Sequence, residues 1–220
     1  TGLPIATYFS LSKILWLLRN VNDVQQAKLD NDLCFGTIDS WLIYKFTGNH
    51  VTDVTNASRT LLMDLNSLTW LDSVIKLLDI PKNALPAIKP SLFSYGTNKK
   101  ILKNVPITAV LGDQQASLFG HNCISTGDVK NTYGTGCFAL TNTGSEIVNS
   151  NNGLLSTVAY QQEGSKPQYA LEGSVSIAGA AVQWLRDNLN IIKVSSEVES
   201  LAMSVKDNGD VYFVPAFSGL

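Results

Sequence analysis

The feature that most constrains this chain is an apolar run that ends on an aspartate and turns at once into a helical pattern. Ile107-Thr108-Ala109-Val110-Leu111 reads as a strand, Gly112-Asp113 as its exit, and Gln114-Gln115-Ala116-Ser117-Leu118-Phe119-Gly120 as an apolar-periodic helix. A strand feeding a helix through a two-residue junction belongs to α/β architecture. In open α/β sheets ligands meet the chain outside the carboxyl ends of strands, where Asp113 and Gln114 would face a polar substrate. Asp113 has an equally ordinary alternative as the N-cap of the helix that follows.

The rest of the chain agrees with this class. Residues 10–20 carry Leu11, Ile14, Leu15, Trp16, Leu17 and Leu18 at helical spacing, with Lys13 and Arg19 outward and Ser10 as the expected N-cap. A second helix is expected from Asp39 or Ser40, either of which can cap it, to the stop at Gly48. A third is expected over 71–78, before Pro81. Residues 126–160 change character, being rich in Gly, Thr and Asn with alternating apolar residues, which predicts antiparallel strands and tight turns. This shift places a domain boundary near 121–128, giving parts 1–121 and 128–220. Residues 174–189 read as a helix that opens on the small residues Ala178, Gly179, Ala180 and Ala181, with Trp184, Leu185 and Leu189 expected in the core.

Composition removes several function classes. Sixteen basic and eighteen acidic residues leave a formal net charge of −2, which provides no basic field to hold a phosphodiester backbone. The longest nearly uncharged apolar stretch, 174–185, is shorter than the roughly 20 residues of a membrane span, and a soluble, cytoplasmic protein is the expectation. The three cysteines, Cys34, Cys123 and Cys137, are odd in number and in no CxxC spacing, and His50 and His121 stand apart from acidic partners. That pattern predicts neither a disulfide scaffold nor a metal site.

Two further stretches have the composition of a ligand site. Gly134-Thr135-Gly136 is a glycine turn between β-like runs, in which backbone amides and a threonine hydroxyl can meet the terminal phosphates of a nucleotide. An ordinary hairpin would look the same. The early face of the 174–189 helix can take a flat purine against Gly179 with a polar contact from Gln183, or can simply be packed on a neighbour. Neither GxxxxGK[ST] nor GxGxxG occurs, so a nucleotide site here is built in another way.

Taken in order, the segment 8–20, Phe35-Gly36-Thr37-Ile38-Asp39-Ser40-Trp41, Thr52-Asp53-Val54-Thr55-Asn56-Ala57-Ser58-Arg59-Thr60, Gly112-Asp113-Gln114-Gln115, Asn131-Thr132-Tyr133-Gly134-Thr135-Gly136-Cys137-Phe138 and Phe213-Val214-Pro215-Ala216-Phe217-Ser218-Gly219-Leu220 resemble the FGGY carbohydrate kinase family, in its glycerol-phosphorylating branch. The resemblance covers essentially the whole chain. It implies an α/β fold of the actin-like (ribonuclease H-like) ATPase kind, with parts of two domains flanking a cleft, ATP and Mg2+ as cofactors, and glycerol as the acceptor. It also implies roles. Asp113 matches the family's general base and Gln114 its neighbouring substrate contact; Tyr8 and Phe138 match polyol contacts; Gly134 and Thr135 match the turn at the ATP phosphates; Gly179 and Gln183 match positions beside the nucleoside. A homo-oligomer is expected of the full-length protein.

The resemblance has two further consequences. The family's N-terminal phosphate hairpin, its Arg-Glu pair and tryptophan at glycerol, and its C-terminal Gly-Gly motif match nothing in residues 1–220, so this stretch alone is expected to be inactive. Residues 97–104 lack the glycines and arginine with which bacterial members bind fructose bisphosphate, and that feedback is not expected. Xylulose-type or gluconate-type kinases share the aspartate and the fold, and a non-catalytic actin-like nucleotide binder shares the fold. Phe138 favours glycerol, because a larger and more hydroxylated sugar calls for a polar group at that position.

Overall fold

The computed structural model describes residues 1–98 and 104–217. The lysines of the 97–104 loop, Lys99, Lys100 and Lys103, and the motif end Ser218-Gly219-Leu220 lie outside the described residues. In chain order the elements are α1 (Ser10–Asn20), α2 (Asn22–Leu29), α3 (Ile38–Thr47), β1 (Val51–Asp53), α4 (Val54–Ala57), β2 (Met63–Asp64), β3 (Thr69–Trp70), α5 (Asp72–Leu77), β4 (Ala87–Lys89), β5 (Leu92–Thr97), β6 (Pro106–Ala109), α6 (Asp113–Gly120), β7 (Val129–Tyr133), β8 (Cys137–Gly144), β9 (Leu155–Tyr160), β10 (Gln168–Val175), α7 (Gly179–Asp187) and α8 (Glu197–Met203). The chain separates into two compact units: Thr1–Lys130 with Leu140–Glu172, and Asn131–Ala139 with Gly173–Leu220.

The first unit is built on three apolar clusters. Val54, Ala57, Met63, Leu65, Val158 and Tyr169 form one, and Ile14, Leu62, Ile75, Ile80 and Leu85 form a second under α1 and α5. The third, Leu118, Cys123, Leu140, Ala159 and Ala170, seats α6. Strand β1 pairs in parallel with β4, with Asp53 opposite Lys89, and β5 pairs antiparallel with β6. The four-stranded sheet has the order β7-β8-β10-β9, with β9 and β10 antiparallel and Glu172 opposite Leu155. Strand β9 is buried along nearly its whole length because both of its faces are covered. The second unit has a smaller apolar centre, in which Trp184 stacks on Phe213 at 5.6 Å and meets Phe217 at 5.1 Å.

Several local expectations need correcting. Ser10 is the first residue of α1 and makes no cap; its N-cap position is Phe9. The turn is tied instead by the Lys13 ammonium, which donates to the carbonyls of Thr7 at 2.6 Å and Tyr8 at 2.7 Å. Neither Asp39 nor Ser40 caps α3, which begins at Ile38 after Thr37; the Thr37 hydroxyl donates to Asp39. Gly48 ends that helix at φ 86°, the left-handed conformation a glycine adopts without cost. Ser174 and Val175 extend β10, and the helix starts at Gly179. No residue of α7 is fully buried and Leu189 is 47% exposed, since the second unit is too small to enclose that face.

Candidate active site

In the first unit, Asp113 opens α6. Gly112 is the N-cap residue, and no side chain caps the helix, so the capping alternative for Asp113 is not what the geometry shows. Two contacts fix this junction. The Gly112 amide donates to the Thr55 hydroxyl oxygen at 2.8 Å, and the Thr55 hydroxyl donates to Asp53 at 2.9 Å. Asp53 is fully buried and also accepts from the Thr55 and Asn56 amides, the Asn56 side-chain amide and the Ser91 hydroxyl. Burial pushes its carboxyl above the usual range, against the pull of those donors. The aspartate at the head of α6 therefore stands on a buried polar anchor that ties α4 to the start of α6.

Asp113 is exposed and accepts from the Gln114 side-chain amide at 3.1 Å. The Gln114 oxygen accepts in turn from the Lys130 ammonium at 2.5 Å. Lys130 is 5% exposed, and burial pushes its ammonium down while the charges of Glu172 and Asp113 pull it back up. Glu172, 3% exposed, receives both nitrogens of the Arg59 fork at 3.1 and 2.9 Å. The same guanidinium lies 5.9 Å from the Tyr8 ring centre and 5.6 Å from that of Phe9, which meets Tyr8 edge-on. Tyr8, Gln114 and Asp113, far apart in sequence, are thus connected through Arg59, Glu172 and Lys130. A groove of about 680 Å³ borders Asp113, with Asp39, Leu42, Phe46, Val105 and Leu111 among its lining.

In the second unit, Gly134, Thr135, Gly179 and Gln183 form one block. The Gly179 amide donates to the Gly134 carbonyl at 2.9 Å, and the Ala178 amide donates to that of Thr135 at 2.8 Å. A Cβ on Gly179 would stand 2.5 Å from the Gly134 oxygen, and one on Gly136 would stand 2.6 Å from that of Val175. Glycine is required at both positions so that the turn can seat against the start of α7. Thr135 is exposed and its hydroxyl is a donor carried on this turn. Gln183 lies one helical turn beyond Gly179 and is exposed. Phe138 is half-buried on β8. Among the described residues no three His, Cys, Asp or Glu side chains are grouped to hold a metal ion.

Sequence reasoning assigned no role to Arg59, Lys130 and Glu172. The available signal was a lone charge inside an apolar context, such as Glu172 between Leu171 and Gly173.

The α/β elements match a known class. The N-terminal domain of the FGGY family of carbohydrate kinases matches residues 1–120, and the family's C-terminal domain matches residues 129–220. The chain belongs to this family, whose fold is of the actin-like ATPase kind.

Its relatives narrow the comparison. The chain is 57% identical to a glycerol kinase of Brucella anthropi and 54% identical to one of Chloroflexus aggregans, in both cases over 100% of this chain and 45% of the relative. It therefore spans about half the length of the curated relatives it matches. Among solved structures, Plasmodium falciparum glycerol kinase with ADP superposes with a TM-score of 0.92 at 43% identity, over 100% of this chain and 45% of that one. A ligand-bound xylulose kinase of Lactobacillus acidophilus shares the fold, with a TM-score of 0.77 at 24% identity over 93% of this chain and 41% of that one.

Proposed function

We propose that the full-length protein transfers the γ-phosphoryl group of ATP to glycerol, yielding sn-glycerol 3-phosphate for glycerol catabolism and glycerolipid precursors. The observation that carries this reading is the 57% identity to a glycerol kinase over the whole chain. The geometry supports a role for each site residue. Phosphoryl transfer asks the protein chiefly for positioning, charge stabilisation and a base for the attacking hydroxyl. Asp113 is that base, being an exposed carboxylate on a rigidly anchored helix start. Gln114 contacts the neighbouring hydroxyl, Tyr8 packs on the acceptor, and Phe138 lays an apolar face on its carbon chain.

On the nucleotide side, Gly134 and Thr135 meet the phosphates, and Gly179 and Gln183 lie beside the nucleoside. The seated glycine turn with its threonine hydroxyl fits a phosphate chain. ATP supplies the phosphoryl group. Mg2+ would arrive on the ATP phosphates and neutralise part of their charge; the described residues offer no His, Cys, Asp or Glu cluster to hold it. Residues 1–121 are the later part of the substrate-side domain and 128–220 the first part of the nucleotide-side domain. The protein works in the cytoplasm as a homo-oligomer. No helix among the described residues is long and apolar enough to cross a membrane.

The test is ADP release by the full-length gene product with glycerol, xylulose and gluconate as acceptors. Glycerol-selective turnover is expected. Preference for either sugar overturns the role of Phe138, and no turnover on any acceptor leaves a nucleotide-binding scaffold.

A further inference from the structure

Lys130 lies sixteen residues from Gln114 in sequence and faces the same polar cluster as Glu172, Arg59 and Asp113. An ammonium has only hydrogens to offer, and a side-chain amide has one accepting end and one donating end. The end of Gln114 that meets Lys130 must therefore be its oxygen, at 2.5 Å, and the end left for Asp113 must be its NH2, at 3.1 Å. Without the ammonium only the longer contact to the Asp113 carboxylate, at 3.1 Å, would hold the amide in this orientation. The flipped one sets oxygen against carboxylate, which is repulsive, and it turns Gln114 from a donor into an acceptor beside the substrate.

Lys130 can hold this position because its surroundings keep it charged. It is 5% exposed, which by itself disfavours an ammonium, and the negative charges of Glu172 and Asp113 compensate. Glu172 is in turn held by both arms of Arg59.

Resting on the reading of Asp113 and Gln114 given above, we propose that Lys130 is a positioning residue for the phosphoryl-transfer site, fixing the orientation of the Gln114 amide and through it the carboxylate of Asp113. It touches neither acceptor nor nucleotide in this role. Its effect is exerted on the polyol side alone.

The test is a double-mutant cycle on the full-length protein, using Lys130→Met, Gln114→Ala and the pair. Lys130→Met keeps most of the stem and removes the donor. A lost hydrogen bond from a charged group corresponds to about a 10- to 100-fold fall in kcat/KM for the acceptor. With Gln114 already truncated, the same change should alter kcat/KM by less than about twofold, because the lysine then has no amide to orient. KM for ATP should stay within about twofold throughout, and Lys130→Arg should restore most of the acceptor kcat/KM. Equal fold losses in both backgrounds, or parallel losses for ATP and acceptor, would show a merely structural lysine and overturn the proposal. If Lys130→Met does not fold, Lys130→Leu carries the same cycle. Failure of the wild type on glycerol overturns the substrate reading alone, and the cycle is then decided on whichever acceptor is turned over. Absence of turnover on all three overturns both.

Discussion

Replacing Arg59 by Met removes one half of a buried ion pair and leaves the other in place. Glu172 is 3% exposed and Arg59 21%, with both carboxylate oxygens held by the fork. Removing one partner of a buried pair costs about 3–5 kcal/mol, since the remaining charge stays buried without compensation. Here water reaches the arginine side and Lys130 supplies part of the missing positive charge, which brings the expectation to the lower end, about 3 kcal/mol. The guanidinium also faces the rings of Tyr8 and Phe9, contacts worth about 0.5–1 kcal/mol at partly exposed sites. In urea unfolding of the full-length protein, Arg59→Met should lower the midpoint by an amount corresponding to about 3 kcal/mol at unchanged slope. The double variant Arg59→Met with Glu172→Met should recover about half of that, because no orphaned carboxylate remains. A single-variant cost below about 1 kcal/mol, the range of surface ion pairs, would refute the reasoning, as would a double variant whose loss is the sum of the two singles.

Two further outcomes are expected. Gly179→Ala places a Cβ 2.5 Å from the Gly134 carbonyl oxygen, so the glycine turn must move off α7; steady-state kinetics should show about a 10- to 100-fold fall in kcat/KM for ATP with KM for glycerol within about twofold. The Asp64 carboxyl is held down to about 2, chiefly by the Ser67 hydroxyl and then by Asn66 and the backbone. A folded-state value below the usual carboxylate range contributes stability above about pH 4 that is lost as pH falls towards 2. Urea midpoints at pH 5 and pH 3 should therefore fall further in the wild type than in Asp64→Asn, and equal falls would contradict this.

The helical periodicity of 10–20 and the glycine at 48 were sufficient to find α1 and the end of α3, because both depend on nearby residues. Helix α2 was not legible. It buries none of its residues, so its sequence carries no apolar stripe. The caps were misread for a physical reason: Ser10 and Asp39 have the right chemistry, but they lie inside helices that begin at Ser10 and Ile38, and no side chain caps either one; the Lys13 ammonium, which ties the turn before α1, acts through contacts that a local pattern cannot reveal. Of the core expected at Trp184, Leu185 and Leu189, Leu189 is exposed, whereas Trp184 and Leu185 are half-buried and Trp184 packs against Phe213 and Phe217; apolar character indicates what a residue tends to bury, and the area available in the second unit decides how far it does.

The candidate site divides in the same way. Asp113 and Gln114 stand out at a strand-to-helix junction, and Gly134-Thr135 at a glycine turn, because each is a short contiguous signal. Arg59 and Glu172 meet across 113 residues of sequence, and their pairing is a product of the fold. Glycine at 179 was legible as a demand for closeness. What comes close in the structure is the Gly134 carbonyl, so the residue joins two halves of one block.

Whether the Asp113 carboxylate takes the proton from the acceptor hydroxyl is decided by comparing kcat of the full-length protein and its Asp113→Asn variant with saturating glycerol and ATP. The substitution keeps shape and hydrogen-bonding reach while removing the base, and the expected result is a fall of about 10²- to 10⁴-fold in kcat, with KM for ATP little changed. A variant that retains kcat within about threefold would contradict the assignment of Asp113.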